Sequence, residues 1–350
     1  MFAYTTEWRV IPDMIKVGVL GAGTWGIALA RLLSNAGKAV TVWSAIEKEI
    51  DGLSNTGVHP NLPGVLLPPR LVYTKDIKEA CIGKDIVIFA VPSPFVRATA
   101  RKAAPYISGG QIIVDVAKGI EEKTLFTMTE IIKDEIKNPA VSLVALTGPT
   151  HAEEVVRDLP TTIVSASEDM EAAVFVQKVF TTDSLRVYTN DDVRGAELCG
   201  ALKNIIALAS GIASGLGCGD NAKAALITRG IAEISRLGIA MGCREQTFGG
   251  LAGIGDLIVT ATSRHSRNNR CGMLIGEGIP VKEAIKQIGM VVEGINALSA
   301  AVSLAKKYNV EMPIVETVDA VVSGRTDVSR AIHALMSREP KSELNASAFL

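Results

Sequence analysis

Three glycines at fixed spacing, Gly21-Ala22-Gly23-Thr24-Trp25-Gly26, sit between an apolar run and an amphipathic one, and they limit this chain's fold more than any other feature. Residues 15–20 read as a buried strand, 25–36 as a helix and 40–43 as the next strand. In such a unit Gly21 permits the tight turn, Gly23 lets a ligand approach the backbone, and Gly26 lets helix pack on strand. The free N–H groups and partial positive charge at the helix start then favour phosphate. A lone G-x-G-x-x-G is a weak signal; with a strand before it and a helix and strand after it, it reads as a dinucleotide-binding fingerprint.

Further apolar runs at 85–91, 111–116, 142–146, 161–165 and 185–188, with a helical pattern at 125–137, extend the strand–helix alternation. That alternation implies a parallel sheet with helices on both faces. Beyond Asn190 the residues are mostly helix formers, interrupted by glycine pairs and by a polar run at 260–270. The expected fold is therefore an α/β Rossmann-like N-terminal domain with a mostly parallel sheet, followed by an all-α C-terminal domain. We divide the chain into an extension (1–13), a dinucleotide-binding domain (14–192), a helical substrate domain (193–340) and a tail (341–350). A length of 350 residues suits two cores. With 48% hydrophobic but only 5% aromatic residues, those cores must be aliphatic.

A formal net charge of -1 provides no overall field to recruit nucleic acid or an anionic membrane. The five cysteines are scattered and never form a C-x-x-C pair, and the four histidines are dispersed, so neither a metal site nor a disulfide scaffold is expected. Reduced thiols and the absence of a signal-peptide pattern point to the cytoplasm. The uncharged stretch 204–219 is rich in Gly, Ser and Ala and falls short of the ~20 apolar residues a span requires. Membrane insertion is not expected.

Several residues sit where chemistry could occur. Lys118, just past the strand at 111–116, is either a substrate contact at a strand's carboxyl end or a solvated loop lysine. Gly148, Pro149, Thr150 and His151 follow another strand and form either a donor-rich turn or a plain one. Lys203 stands out physically, because its helix, 197–214, is otherwise almost wholly apolar and small. A buried lysine without a partner or a task is rare, and burial lowers its pKa toward neutrality. Asp256 follows a glycine-rich turn and could orient Lys203 or cap a helix. Arg264, His265, Ser266, Arg267, Asn268 and Arg270 concentrate donors suited to a phosphate, or else form a solvated basic helix start. The end of the second strand reads Trp43-Ser44-Ala45-Ile46-Glu47-Lys48, with neither the acid that binds a free ribose 2′-hydroxyl nor the arginine that binds a 2′-phosphate. Ser44 could donate to either group, and Glu47 lies beyond the usual position.

Taken in order, GAGTWG, LPGVLLP, AKGIE, LTGPTHAEEV, GALKNIIALASGI, NAKAALITRG, GLAGIGDL, TSRHSRNNR and VVEG run from Gly21 to Glu293 and cover most of the chain. This set resembles the NAD(P)-dependent sn-glycerol-3-phosphate dehydrogenases of bacterial type. The resemblance implies interconversion of dihydroxyacetone phosphate and sn-glycerol 3-phosphate, with the product feeding phospholipid synthesis, in a cytoplasmic homodimer. It implies Lys203 as the proton-transferring residue, with Lys118, Gly148, Thr150, Lys203, Asp256, Ser266, Arg267 and Asn268 holding the substrate. Gly21, Gly23, Thr24, Trp25, Gly26, Lys118, Ala152, Arg267, Val291 and Glu293 would line the cofactor, NAD or NADP, with the preference open. Thr150 stands where the family usually has serine, and Ala45 and Ile46 stand where many members carry basic residues. No metal is implied.

Overall fold

Among the described residues eight strands form one sheet: β1 Lys16–Leu20, β2 Ala39–Trp43, β3 Val72–Thr74, β4 Ile86–Phe89, β5 Ile112–Asp115, β6 Ser142–Thr147, β7 Thr161–Ala166 and β8 Leu185–Asn190. Their order is β3-β2-β1-β4-β5-β6-β7-β8. The computed structural model describes residues 14–340 and 342–343, so the expected extension and most of the expected tail lie outside the described residues. Pairing is parallel from β3 through β6, antiparallel between β6 and β7, and parallel again between β7 and β8. β4 and β5 are buried along their whole length. That double burial makes their sequences continuous apolar runs rather than alternating ones. β3 escaped the sequence reading: it has three residues, lies at the edge and exposes Val72, so it carries no pattern.

The first helix, Thr24–Asn35, starts at Gly23 and buries Ile27, Leu29 and Leu33 against the sheet. After β8 the chain is helical. Helix Val193–Gly215 runs through the centre of this second region, and every residue from Gly195 to Ala213 is buried. Among the described residues it is the one helix long and apolar enough to cross a membrane, but 89% of its apolar window is buried inside the body, as in a core helix. Asp192 caps it, accepting from Gly195 N at 3.0 Å, and also accepts from Arg244 N at 2.9 Å and Thr247 Oγ1 at 2.6 Å.

The closest partner of this core helix is Arg267–Gly276. A Cβ at Gly211 would stand 2.1 Å from Asn269 O, and one at Gly272 would stand 2.2 Å from Leu208 O. Glycine at both positions lets the two backbones nearly touch. This contact brings the amides of residues 204 and 268 within reach of each other.

Candidate active site

The dinucleotide loop is shaped by close approach. Gly21 has φ +125°, and a Cβ there would lie 2.6 Å from Ala90 O; one at Gly26 would lie 2.2 Å from Gly21 O. Gly23 differs: it is exposed, and a Cβ there would project into open space with nothing within 4 Å. The helix it opens has no side-chain cap and no acid in its first turn, so its N–H groups and positive end remain available. These features fit a dinucleotide pyrophosphate. Thr24 and Trp25, both half-buried, are the first residues of that helix, and Ala152 opens the short helix Ala152–Val155 that packs against it.

Lys118 and Lys203 come from different regions and meet on one carboxylate. Lys203 Nζ donates to Asp256 Oδ1 at 2.5 Å, and Lys118 Nζ donates to Asp256 Oδ2 at 2.6 Å and to Gly148 O at 3.1 Å. Asp256 is fully buried and Lys203 is only 5% exposed. Asp256 follows a π-helical turn, Leu251–Gly255, and opens helix Asp256–Thr262. One turn further along, Thr260 Oγ1 accepts from Lys203 Nζ at 2.5 Å and donates to Asp256 O at 2.6 Å. Gly200 makes room on the core helix: a Cβ there would crowd Thr147 Oγ1 at 3.2 Å and the Lys118 stem at 3.5 Å.

Burial pulls the Lys203 ammonium down to about 7; Asp256 opposes the shift and Lys118 adds to it. Lys203 therefore stands poised between ammonium and amine near neutrality. His151 is also pushed below its ordinary value by burial and by the nearby Lys203 charge. Its Nε2 lies 3.4 Å from Val259 O, and its ring faces His265 with 5.8 Å between centroids. No hydrogen bond ties it to Lys203 among the described residues. Thr150 Oγ1 donates to Gly148 O at 3.2 Å, closing the turn after β6.

The basic cluster follows immediately. Ser266 caps helix Arg267–Gly276 by accepting from Asn269 N at 3.2 Å. Among the described residues no carboxylate pairs with Arg264, Arg267 or Arg270. Unpaired guanidinium groups beside a helix start suit a phosphate dianion. Asn268, 8% exposed, donates through Nδ2 to Asn204 Oδ1 at 2.9 Å and accepts through Oδ1 from Gly294 N at 2.8 Å. Glu293 reaches the other way, to Ser93 beside β4. Val291 is half-buried two residues before it.

The 2′ corner departs from the expectation that no acid lies near it. Helix Glu47–Thr56 turns Glu49 back over the end of β2, and Ser44 Oγ donates to Glu49 Oε2 at 2.6 Å. Ser44 is thus already engaged, and a carboxylate stands beside it. The spacing from residue 44 to 49 crosses a loop and the first helical turn, and it carried no signal in the sequence. Thr260, Asn204 and Ser93 were also not singled out. The i, i+4 step from Asp256 and the position next to Lys203 could have flagged the first two; nothing local could have flagged Ser93.

A mostly parallel sheet whose glycine cradle and Lys118 meet a helical body carrying Lys203, Asp256 and unpaired arginines defines a nicotinamide-dependent dehydrogenase of a small anionic substrate. Family models described as the N-terminus and C-terminus of NAD-dependent glycerol-3-phosphate dehydrogenase match residues 16–173 and 192–333. This chain belongs to that family. It is 62% identical over 335 residues to glycerol-3-phosphate dehydrogenase NAD(P)+ 2 of Lactobacillus delbrueckii subsp. bulgaricus, covering 95% of this chain and 99% of the relative. It is 52% identical over 331 residues to the Agathobacter rectalis glycerol-3-phosphate dehydrogenase, covering 94% and 98%. The crystal structure of glycerol-3-phosphate dehydrogenase from Coxiella burnetii superposes with a TM-score of 0.90 at 36% identity, covering 93% of this chain and all of that one.

Proposed function

We propose that this chain interconverts dihydroxyacetone phosphate and sn-glycerol 3-phosphate with NAD(H) or NADP(H), and so supplies glycerol 3-phosphate for phospholipid synthesis. The observation that carries this reading is the single buried Asp256 carboxylate shared by two ammonium groups next to a helix start with unpaired arginines. In this reading residues 14–192 bind the dinucleotide and residues 193–340 build the substrate site. Consumption of reduced nicotinamide on adding dihydroxyacetone phosphate tests it. A ketopantoate or 3-hydroxy acid dehydrogenase would ignore that substrate, and a regulator without turnover would consume none.

The residues divide the work. Gly21, Gly23, Thr24, Trp25 and Gly26 receive the pyrophosphate end, with Ala152, Val291 and Glu293 along the remainder. The bound nicotinamide supplies or accepts the hydride. Lys203 gives a proton to the carbonyl oxygen during reduction and takes one from the alcohol during oxidation. Asp256 holds Lys203 and Lys118 on one carboxylate and so fixes where both ammonium groups point. Lys118 and Gly148, bonded to each other, and Thr150 beside them position the reacting end. Ser266, Arg267 and Asn268 hold the phosphate, whose remote binding orients the carbonyl.

We propose a cytoplasmic homodimer as well, on the family resemblance. Light scattering should give twice the 37.0 kDa chain mass, and a single-chain mass would reject it.

Both nicotinamides should serve, with no strong preference for the phosphorylated one. Ala45 and Ile46 bring no charge to the 2′ position, and Glu49 repels a phosphate there. Ala45→Arg should improve relative efficiency with NADPH by about 1–2 kcal/mol, the scale of a charge-assisted hydrogen bond. Glu49→Gln should move the ratio the same way. A parent that already favours NADPH by more than about a hundredfold, or an unchanged ratio in both variants, would mean the 2′ position is read elsewhere.

A further inference from the structure

The hydrogen bonds around Glu293 form a strap between the two regions of the chain. Ser93 follows Pro92 after β4, in a 3-10 turn that runs from Ser93 to Phe95. Its N–H donates to Glu293 Oε1 at 3.1 Å and its Oγ to Glu293 Oε2 at 2.6 Å. Among the described residues no lysine or arginine pairs with Glu293, so these two donors hold the carboxylate. On its other side Ser93 presses against the residue after Lys118: a Cβ at Gly119 would stand 2.3 Å from Ser93 Cβ.

The strap continues inward. Gly294 lies so close to the core helix that a Cβ there would be 2.5 Å from Asn204 O, and its N–H donates to Asn268 Oδ1 at 2.8 Å. With Oδ1 committed, the Asn268 amide has one orientation. One of its Nδ2 hydrogens goes to Asn204 Oδ1 at 2.9 Å, leaving the second for a ligand. Asn204 Nδ2 in turn donates to Gly200 O at 3.1 Å, one turn back in the helix that carries Lys203. An unbroken path thus runs from the loop beside the dinucleotide site to the amide beside the catalytic lysine.

We infer that Ser93 is a positioning residue that acts through Glu293: by anchoring the strap, it couples the dinucleotide site to the Asn268 side of the phosphate clamp. The inference rests on the reading of Asn268 as a phosphate ligand. A dinucleotide lying along Glu293 holds the strap in place, and the strap presets the Asn268 amide. By linkage, substrate must then tighten dinucleotide binding by the same factor. This is a coupling carried by identified bonds rather than by proximity.

Calorimetry of sn-glycerol 3-phosphate binding to the free enzyme and to its NADH complex tests this without turnover, because that pair is redox-matched and unreactive. NADH should tighten glycerol 3-phosphate binding by ~10-fold, within the usual span of coupling. Ser93→Ala should bring that factor close to one, and Ser93→Thr, which keeps the hydroxyl, should restore it. In an Asn268→Ala background, Ser93→Ala should change glycerol 3-phosphate affinity no further. A coupling factor unchanged by Ser93→Ala, or a Ser93→Ala effect that persists without Asn268, overturns the strap alone. An Asn268→Ala variant with normal glycerol 3-phosphate affinity overturns the phosphate assignment and the strap with it.

Discussion

Dihydroxyacetone phosphate should be reduced with an efficiency roughly 10²–10⁴-fold above that of unphosphorylated dihydroxyacetone. The estimate follows from the clamp: two charge-assisted hydrogen bonds at about 1.5–3 kcal/mol each give about 3–6 kcal/mol, and about 1.4 kcal/mol is tenfold in rate. The unpaired Arg267 and the preset Asn268 amide are the donors in question. Arg267→Ala should lower efficiency with the phosphorylated ketone and leave the slow reaction of the other nearly unchanged. Kinetics with both ketones on both proteins give the answer. Equal efficiencies in the parent would mean that no phosphate clamp operates.

Lys203→Met should cost ~10²-fold or more in turnover while the fold persists, the scale of losing a general acid. Methionine keeps most of the aliphatic stem inside the core helix. Asp256 would not be left alone, because Lys118 Nζ still donates to it at 2.6 Å. This matters because removing the partner of a buried charge is usually costly, by about 3–5 kcal/mol. Circular dichroism of the variant should overlay the parent. A folded variant with near-normal turnover would make Lys203 a structural residue.

Much of this was legible because burial leaves marks in a sequence. Parallel strands covered on both faces read as unbroken apolar runs, and β1, β4 and β5 were found on that ground. β3 was missed because three edge residues carry no period. Lys203 was legible as a lone charge in a helix otherwise apolar on every side, which is what a buried helix looks like. Its partner was only half legible: the glycine-rich turn marked Asp256 as special, but only the folded arrangement shows it shared by two lysines. Contacts across the fold left no local mark. Ser93 and Glu293 are two hundred residues apart and meet only because the helical region closes over the end of β4. Glu49 was passed over because helix Glu47–Thr56 reverses the direction in which its side chain points.

A buried lysine, held near neutrality by burial on one side and Asp256 on the other, moves the proton in both directions in this mechanism. Lys203 is pulled down from the usual lysine range to about 7, so the ammonium needed for ketone reduction is lost as pH rises through that value. The neutral amine needed for alcohol oxidation appears over the same interval. The most direct measurement is the pH dependence of kcat/KM in both directions, for the parent and for Lys203→Met. Reduction should fall and oxidation rise about a common apparent pKa near neutrality, and both limbs should vanish in the residual activity of the variant. Profiles that are flat in the parent, or that persist in Lys203→Met, would contradict this mechanism.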